Sequence, residues 1–141
     1  MAGKPLLVDT DVFIDYLRDI SPARALLDSD EFDIYYSSWT RKELVSKPGL
    51  KESERQRVEA LLRRFRVLPV TDAIAERYWL LLSKYESFGL RQADAIIAGT
   101  AWQRKIPLLT RNQKHFRFIA EIELAPVYQR CFHERMYGCS R

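Results

Sequence analysis

Cysteine is nearly missing from this 141-residue sequence, and the two that occur, Cys131 and Cys139, both fall within the final dozen positions. Thiols placed there are a poor staple for a secreted fold, and their spacing matches no metal-ligand pattern, so a reduced, cytoplasmic setting is expected. No charged-then-apolar leader precedes the first apolar run, and no signal peptide is expected. Long hydrophobic runs are also missing: the longest stretch free of formal charge is residues 95–103, far too short to cross a bilayer. There is no internal repeat and no low-complexity segment. Membrane, disulfide-framework and repeat architectures are thereby excluded.

What remains is an ordinary globular composition, 47% hydrophobic and 30% charged. The length suits one domain spanning 1–141, with a core of about 5–128 and a C-terminal tail of 129–141. The net charge of +4 hides an asymmetry. Residues 1–40 carry three basic and eight acidic side chains, whereas residues 41–66 carry nine basic and four acidic. An acidic opening beside a basic middle suits a chain that holds cations at one point and polyanions around it; a solvated helix face is the blander alternative.

Apolar or aromatic runs at 6–8, 32–37, 65–70, 107–110 and, more weakly, 124–128 read as strands. Helical spacing fills the intervals. Ser21-Pro22 is suited to open one helix, with Ser21 as its cap. Residues 51–64 place Val58, Leu61 and Leu62 on one stripe, residues 73–85 follow Thr71-Asp72, and residues 92–104 follow Gly89-Leu90. Strands alternating with helices of this length predict an α/β fold, a three-layer α/β/α arrangement around a central, mostly parallel sheet of four to five strands.

The first strand stops on a carboxylate, in Leu6-Leu7-Val8-Asp9-Thr10-Asp11. Ligands in open α/β sheets sit beyond the carboxyl ends of the strands, so acids there are candidates for a site. Asp11 or Thr10 suffices to cap the following helix, which leaves Asp9 surplus unless it meets a cation. Glu43 follows the second strand, where Thr40-x-x-Glu43 also fits a capping box. Asp94 shares a helical face with Ile97, Ala98 and Ala101, and a carboxylate on an apolar face is costly unless paired or metal-bound. The fourth strand ends in Thr110-Arg111-Asn112, where Asn112 offers a carbonyl ligand and Thr110 can orient a neighbouring carboxylate. His115 and His133 read more readily as surface or packing residues.

Three acids from separate segments, with no Cys or His among them, form an oxygen-only donor set of the kind that hard Mg²⁺ or Mn²⁺ ions prefer. The chemistry suggested is phosphodiester hydrolysis by in-line attack of metal-activated water. Arg41, Lys42 and Lys47, close behind Glu43, are placed to track a phosphate backbone. Trp39 reads as a core residue or a base-stacking one. Leu80, Leu81, Trp79 and Trp102 exceed what one core needs, and a dimer face among them is expected.

These motifs resemble the PIN domain. The resemblance rests on Val8-Asp9-Thr10-Asp11-Val12-Phe13-Ile14, the Ser/Thr-rich turn leading to Glu43-Leu44, Ala93-Asp94-Ala95-Ile96-Ile97-Ala98, and Leu109-Thr110-Arg111-Asn112 with Phe116. Their order and spacing look like the bacterial VapC-type toxins in particular. The resemblance implies a PIN-like α/β/α fold and a Mg²⁺- or Mn²⁺-dependent endoribonuclease. It further implies a homodimer held in check by a cognate VapB-type antitoxin, whose C-terminal segment covers the active-site groove. The family's metal-binding acids carry over onto Asp9, Glu43 and Asp94, and its fourth position, often aspartate, falls on Asn112.

Rival readings are an RNA-processing nuclease outside any toxin system, a non-catalytic binding module, and a phosphatase using Asp9 as nucleophile. Phosphatases of that kind usually continue Asp-x-Asp with Gly-Thr, where this chain has Val12-Phe13.

Overall fold

Alternation along one short strand decides the architecture. In the computed structural model, which describes residues 3–128, strand β1 (Lys4–Val8) sends Leu6 and Val8 into one hydrophobic cluster and Leu7 into another. A strand buried on both faces must be covered on both faces, and that makes three layers. All three side chains are at most 2% exposed.

The first cover is built by α1 (Thr10–Leu17), α2 (Ser21–Leu27), α3 (Ser38–Val45) and α4 (Glu52–Leu62), which supply Val12, Phe13, Leu27, Leu44, Val58, Leu61 and Leu62 to the cluster around Leu6 and Val8. The second is built by α5 (Asp72–Lys84) and α6 (Gln92–Arg104), whose Leu81, Ile97, Ala98 and Ala101 pack with Leu7 and Phe116. Helices α5 and α6 approach closely at Gly99, where a Cβ would lie 3.3 Å from the Ile74 carbonyl oxygen and the Tyr78 nitrogen.

Between the covers, β2 (Phe32–Ser37), β3 (Arg66–Leu68) and β4 (Leu108–Leu109) complete a four-stranded parallel sheet in the order β3-β2-β1-β4. Leu6 pairs with Ile34, and Val8 with Leu109. The expected α/β/α layering is therefore present, with four strands. The weak fifth run contributes a single parallel bridge, Leu124 to Leu108. Pro126 has no N–H to extend that ladder.

The expected caps of α2 and α3 both move. Ile20 rather than Ser21 precedes α2, and it makes no side-chain cap bond. Ser37 caps α3 by accepting from the Trp39 N–H at 3.1 Å, so Thr40 lies inside the helix and no Thr40–Glu43 capping box forms. Helix α3 starts at the very end of β2, which brings the cap forward by one turn. Thr71 caps α5 through the Ile74 N–H. Among the described residues, no helix is long and apolar enough to cross a membrane. Cys131, His133, Cys139 and the expected tail lie outside the described residues.

Candidate active site

The carboxyl ends of β1, β2 and β4 sit side by side in the parallel sheet, so the residues that follow them share one edge. Asp9 follows β1. Its Oδ1 accepts from the Thr10 N–H at 2.7 Å and its Oδ2 from the Thr110 hydroxyl at 2.8 Å, across from the end of β4. Asp9, not Asp11 or Thr10, is the N-cap of α1. It is 7% exposed, and neither hydrogen-bond partner is charged. Burial, and after it the charge of Asp11, push the Asp9 carboxyl up to about 7; the Thr110 and Thr10 bonds pull the other way, and Asp94 adds a further push.

Asp11 takes the backbone N–H of Arg111 on Oδ2 at 3.0 Å. Its Oδ1 is buried with no hydrogen-bond partner among the described residues. Burial raises this carboxyl too, and the Arg111 N–H bond and guanidinium oppose the rise. An orphaned carboxylate oxygen is costly to bury without a compensating group, and a cation or its water shell would compensate it.

Glu43 arrives from α3. The Thr10 hydroxyl donates to its Oε1 at 2.6 Å and hydrogen-bonds with the fully buried Thr40 hydroxyl at 3.0 Å. Asp94 arrives from the first turn of α6, where the helix dipole favours a negative charge. Arg91 Nε donates to Asp94 Oδ2 at 3.2 Å, Arg91 Nη2 contacts His115 Nδ1 at 2.8 Å, and His115 Nδ1 lies 3.6 Å from Asp94 Oδ2. Asn112 donates its backbone N–H to Thr110 Oγ1 at 3.1 Å.

Asp9, Asp11, Glu43, Asp94 and Asn112 line one cavity of about 280 Å³, with Arg91 at its edge. The structure thus brings together the acids that the sequence singled out from separate segments. They do not clench: among the described residues, no three acidic, histidine or cysteine side chains come close enough to hold a metal ion by themselves. An all-oxygen set around an open cavity, with one orphaned oxygen and a charge-strained Asp9, fits a hard cation that completes its shell with water and substrate oxygens.

The basic residues divide. Arg41, expected on a phosphate path, is instead held by Glu59 of α4 through both Nε and Nη2. Lys42 Nζ lies 5.3 Å from the Trp39 ring centroid, and Trp39 itself packs partly buried against the core. Lys47 lines a larger neighbouring groove of about 590 Å³, whose apolar floor includes Ile14, Leu17, Leu44 and Val58. Thr10 and Glu43 line both cavities, so the groove leads into the acidic site.

Several participants were not singled out from the sequence. Asp15 is fully buried and accepts from the Arg111 guanidinium at 3.1 Å and from the Tyr128 hydroxyl at 2.8 Å. That pairing fixes Arg111, whose N–H then holds Asp11. Burial and the Asp15 charge push the Tyr128 phenol upward. The signal was available: Asp15 lies among apolar helix positions, the pattern that drew attention to Asp94. His115, read as a surface or packing residue, borders Asp94. Thr10 and Arg91 carried no comparable signal, because a hydroxyl and an arginine are ordinary at helix starts.

Comparison with known proteins identifies the family. Ribonuclease VapC10 of Mycobacterium tuberculosis is 34% identical over 122 residues, covering 84% of this chain and 90% of that protein. A toxin-antitoxin complex from Klebsiella pneumoniae contains a chain 30% identical, with a TM-score of 0.70 over 83% of this chain and 94% of that one. For the fold alone, VapBC2 from Rickettsia felis, solved bound to a DNA fragment from its promoter, superposes with a TM-score of 0.79 at 22% identity, covering 89% of this chain and 99% of that one. The PIN domain model matches residues 6–122, and the chain belongs to the PIN domain family.

Proposed function

We propose that this chain is a VapC-type endoribonuclease, the toxin of a toxin-antitoxin pair, whose phosphodiester hydrolysis depends on Mg²⁺ or Mn²⁺. The observation that carries the reading is the shared cavity: Asp9, Glu43 and Asp94 reach it from three separate elements, and Asp9 lacks a charged hydrogen-bond partner. The ribonuclease named among its relatives and the toxin-antitoxin complex among its structural neighbours support the reading.

In this proposal Asp9 and Asp94 hold the cation, with Glu43 and Asn112 acting directly or through water. A bound divalent cation supplies a Lewis acid for the phosphoryl oxygen and lowers the pKa of a nearby water. The protein's part is placement. Thr110 and the Thr10 N–H fix both oxygens of Asp9, and the Thr10 hydroxyl fixes Glu43. The Arg111 N–H aims Asp11, leaving its second oxygen towards no protein donor among the described residues.

The apolar groove beside the site, rimmed by Arg18, Lys47 and Arg57, is where an apolar antitoxin segment with acidic side chains would lie and close off Glu43. Lys42 and Lys47 would draw the RNA backbone, with Arg41 serving α3–α4 packing instead. Trp79 and Leu80 on α5, at 65% and 52% exposure, mark the candidate dimer face, whereas Leu81 is buried in the core.

The test is cleavage of single-stranded RNA by purified protein with Mg²⁺ or Mn²⁺. Asp9→Asn and Asp94→Asn should abolish cutting while keeping the fold. Full activity in excess EDTA, or in Asp94→Asn, refutes the mechanism. Induction of the chain alone in a bacterial host should arrest growth, with relief on co-expression of the antitoxin.

A further inference from the structure

Beyond the acidic cavity, and sharing Arg91 and Asp94 with it, lies a second hollow of about 200 Å³. Phe88, Phe118, Lys114 and His115 complete most of its wall. Its volume is below the roughly 300–1,000 Å³ of pockets that take drug-sized ligands. Its composition is an aromatic shelf beside basic side chains.

The shelf is built by a short turn. A single 3-10 turn, Glu86–Phe88, ends on Gly89 at φ +74°, a left-handed conformation that glycine adopts without steric cost. The reversal places Phe88 and Arg91 on the walls of the same hollow. Phe88 stacks on Phe118 with centroids 5.1 Å apart and planes 15° from parallel, and Tyr85 meets Phe88 edge-on at 5.6 Å. Phe88 is nevertheless 59% exposed. A phenylalanine packed on one side and open on the other, next to Arg91 and Lys114, has the makeup of a stacking platform for a single-stranded base with its phosphate nearby.

We infer that Phe88, backed by Phe118, stacks the base of a nucleotide flanking the scissile phosphate, while Lys114 and Arg91 contact the adjoining backbone phosphate. The inference rests on the ribonuclease reading above and deepens it by one subsite: the RNA presents an unpaired base beside the cut, and Phe88 receives it. Bases inside a duplex already stack on each other and cannot lie on the shelf. Arg91 lines both hollows, so a phosphate drawn to it sits between the shelf and Asp94. Phe88 is a binding and positioning residue here, not a catalytic one.

The test compares wild type, Phe88→Leu, Phe88→Ala and Phe88→Trp on one single-stranded RNA whose cut site has been mapped with wild type. Leucine keeps apolar packing on Phe118 but offers no aromatic face, which guards against a folding artefact in the alanine variant. Phe88→Leu and Phe88→Ala should raise KM on the order of tenfold, with kcat held within about twofold, and Phe88→Trp should restore KM. In the cleavage-deficient Asp9→Asn protein, the same RNA with 2-aminopurine beside the cut should lose fluorescence on binding, and adding Phe88→Leu should abolish that quench. Wild-type KM and quenching in the folded leucine variant overturn the subsite and leave the nuclease reading intact. A wild-type protein that cuts no RNA overturns the nuclease reading itself, and the subsite with it.

Discussion

Asp9 and Asp15 lie six residues apart at the start of the molecule, and both are buried, at 7% and 0% exposure. Asp15 is paired: the Arg111 guanidinium and the Tyr128 hydroxyl donate to its two oxygens. Among the described residues, Asp9 accepts only from uncharged donors, and it faces a cavity shared with Asp11 and Asp94. One burial is complete without any ligand and the other is not. On the proposed function, the difference separates a carboxylate that holds the fold together from one kept available for chemistry, and Arg111 links the two regions, since its side chain serves Asp15 and its N–H serves Asp11.

The sharpest way to break this comparison is to neutralise each acid. Asp9→Asn should reduce RNA cleavage below detection while leaving or raising the stability of the metal-free chain, because it removes an uncompensated buried charge. Asp15→Asn should do the reverse in stability, costing roughly 2–3 kcal/mol, because it removes the charge that pairs with the guanidinium and turns one of the two acceptor oxygens into a donor; Arg111 is 28% exposed, which tempers the usual cost of a broken buried pair. Chemical denaturation of the metal-free proteins gives both signs. Equal destabilisation by the two substitutions would erase the distinction.

The pH dependence sharpens it further. The Asp9 carboxyl stands near 7 in the folded chain against an ordinary value of 3.8. The folded state therefore binds that proton more tightly than the unfolded state does. Metal-free stability should fall as pH rises from about 4 to about 7, by a few kcal/mol at most, and flatten above that. Asp9→Asn should reduce the slope, with the raised Asp11 carboxyl contributing the part that remains. Mg²⁺ should raise the melting temperature more at pH 8 than at pH 6, since metal and proton compete for the same oxygen. A metal-free melting temperature that climbs steadily through this window contradicts the assignment of the strained acid.

Smaller effects test the basic and apolar surfaces. Lys47→Ala should weaken RNA binding in a salt-dependent manner, whereas Arg41→Ala should leave both stability and RNA affinity near wild type, as loss of an exposed ion pair does. Trp79→Glu should shift the sedimentation of the protein towards monomer.

The sequence was most readable where a local pattern had one physical explanation. The double-sided burial of β1 followed from its apolar Leu6-Leu7-Val8 run, and α6 was predicted to its observed ends, Gln92–Arg104. Asp9 and Asp94 stood out as charges where apolar neighbours predominate. What escaped depends on residues brought together by the sheet. The Thr10–Glu43 bond joins positions 33 apart, and Arg111 meets Asp15 across 96 residues. Neither pair has a spacing that could announce it. Cap choice failed for a local reason: Ser37, Ser38 and Thr40 all have capping hydroxyls, and the geometry at the end of β2 selects Ser37.

The most direct measurement is anomalous diffraction from crystals soaked in Mn²⁺. A peak in the cavity within coordinating distance of Asp9 and Asp94 oxygens in the wild type, lost in Asp9→Asn, is the predicted result. No peak there at saturating Mn²⁺, in a protein that still cleaves RNA, would contradict the shared-cation account.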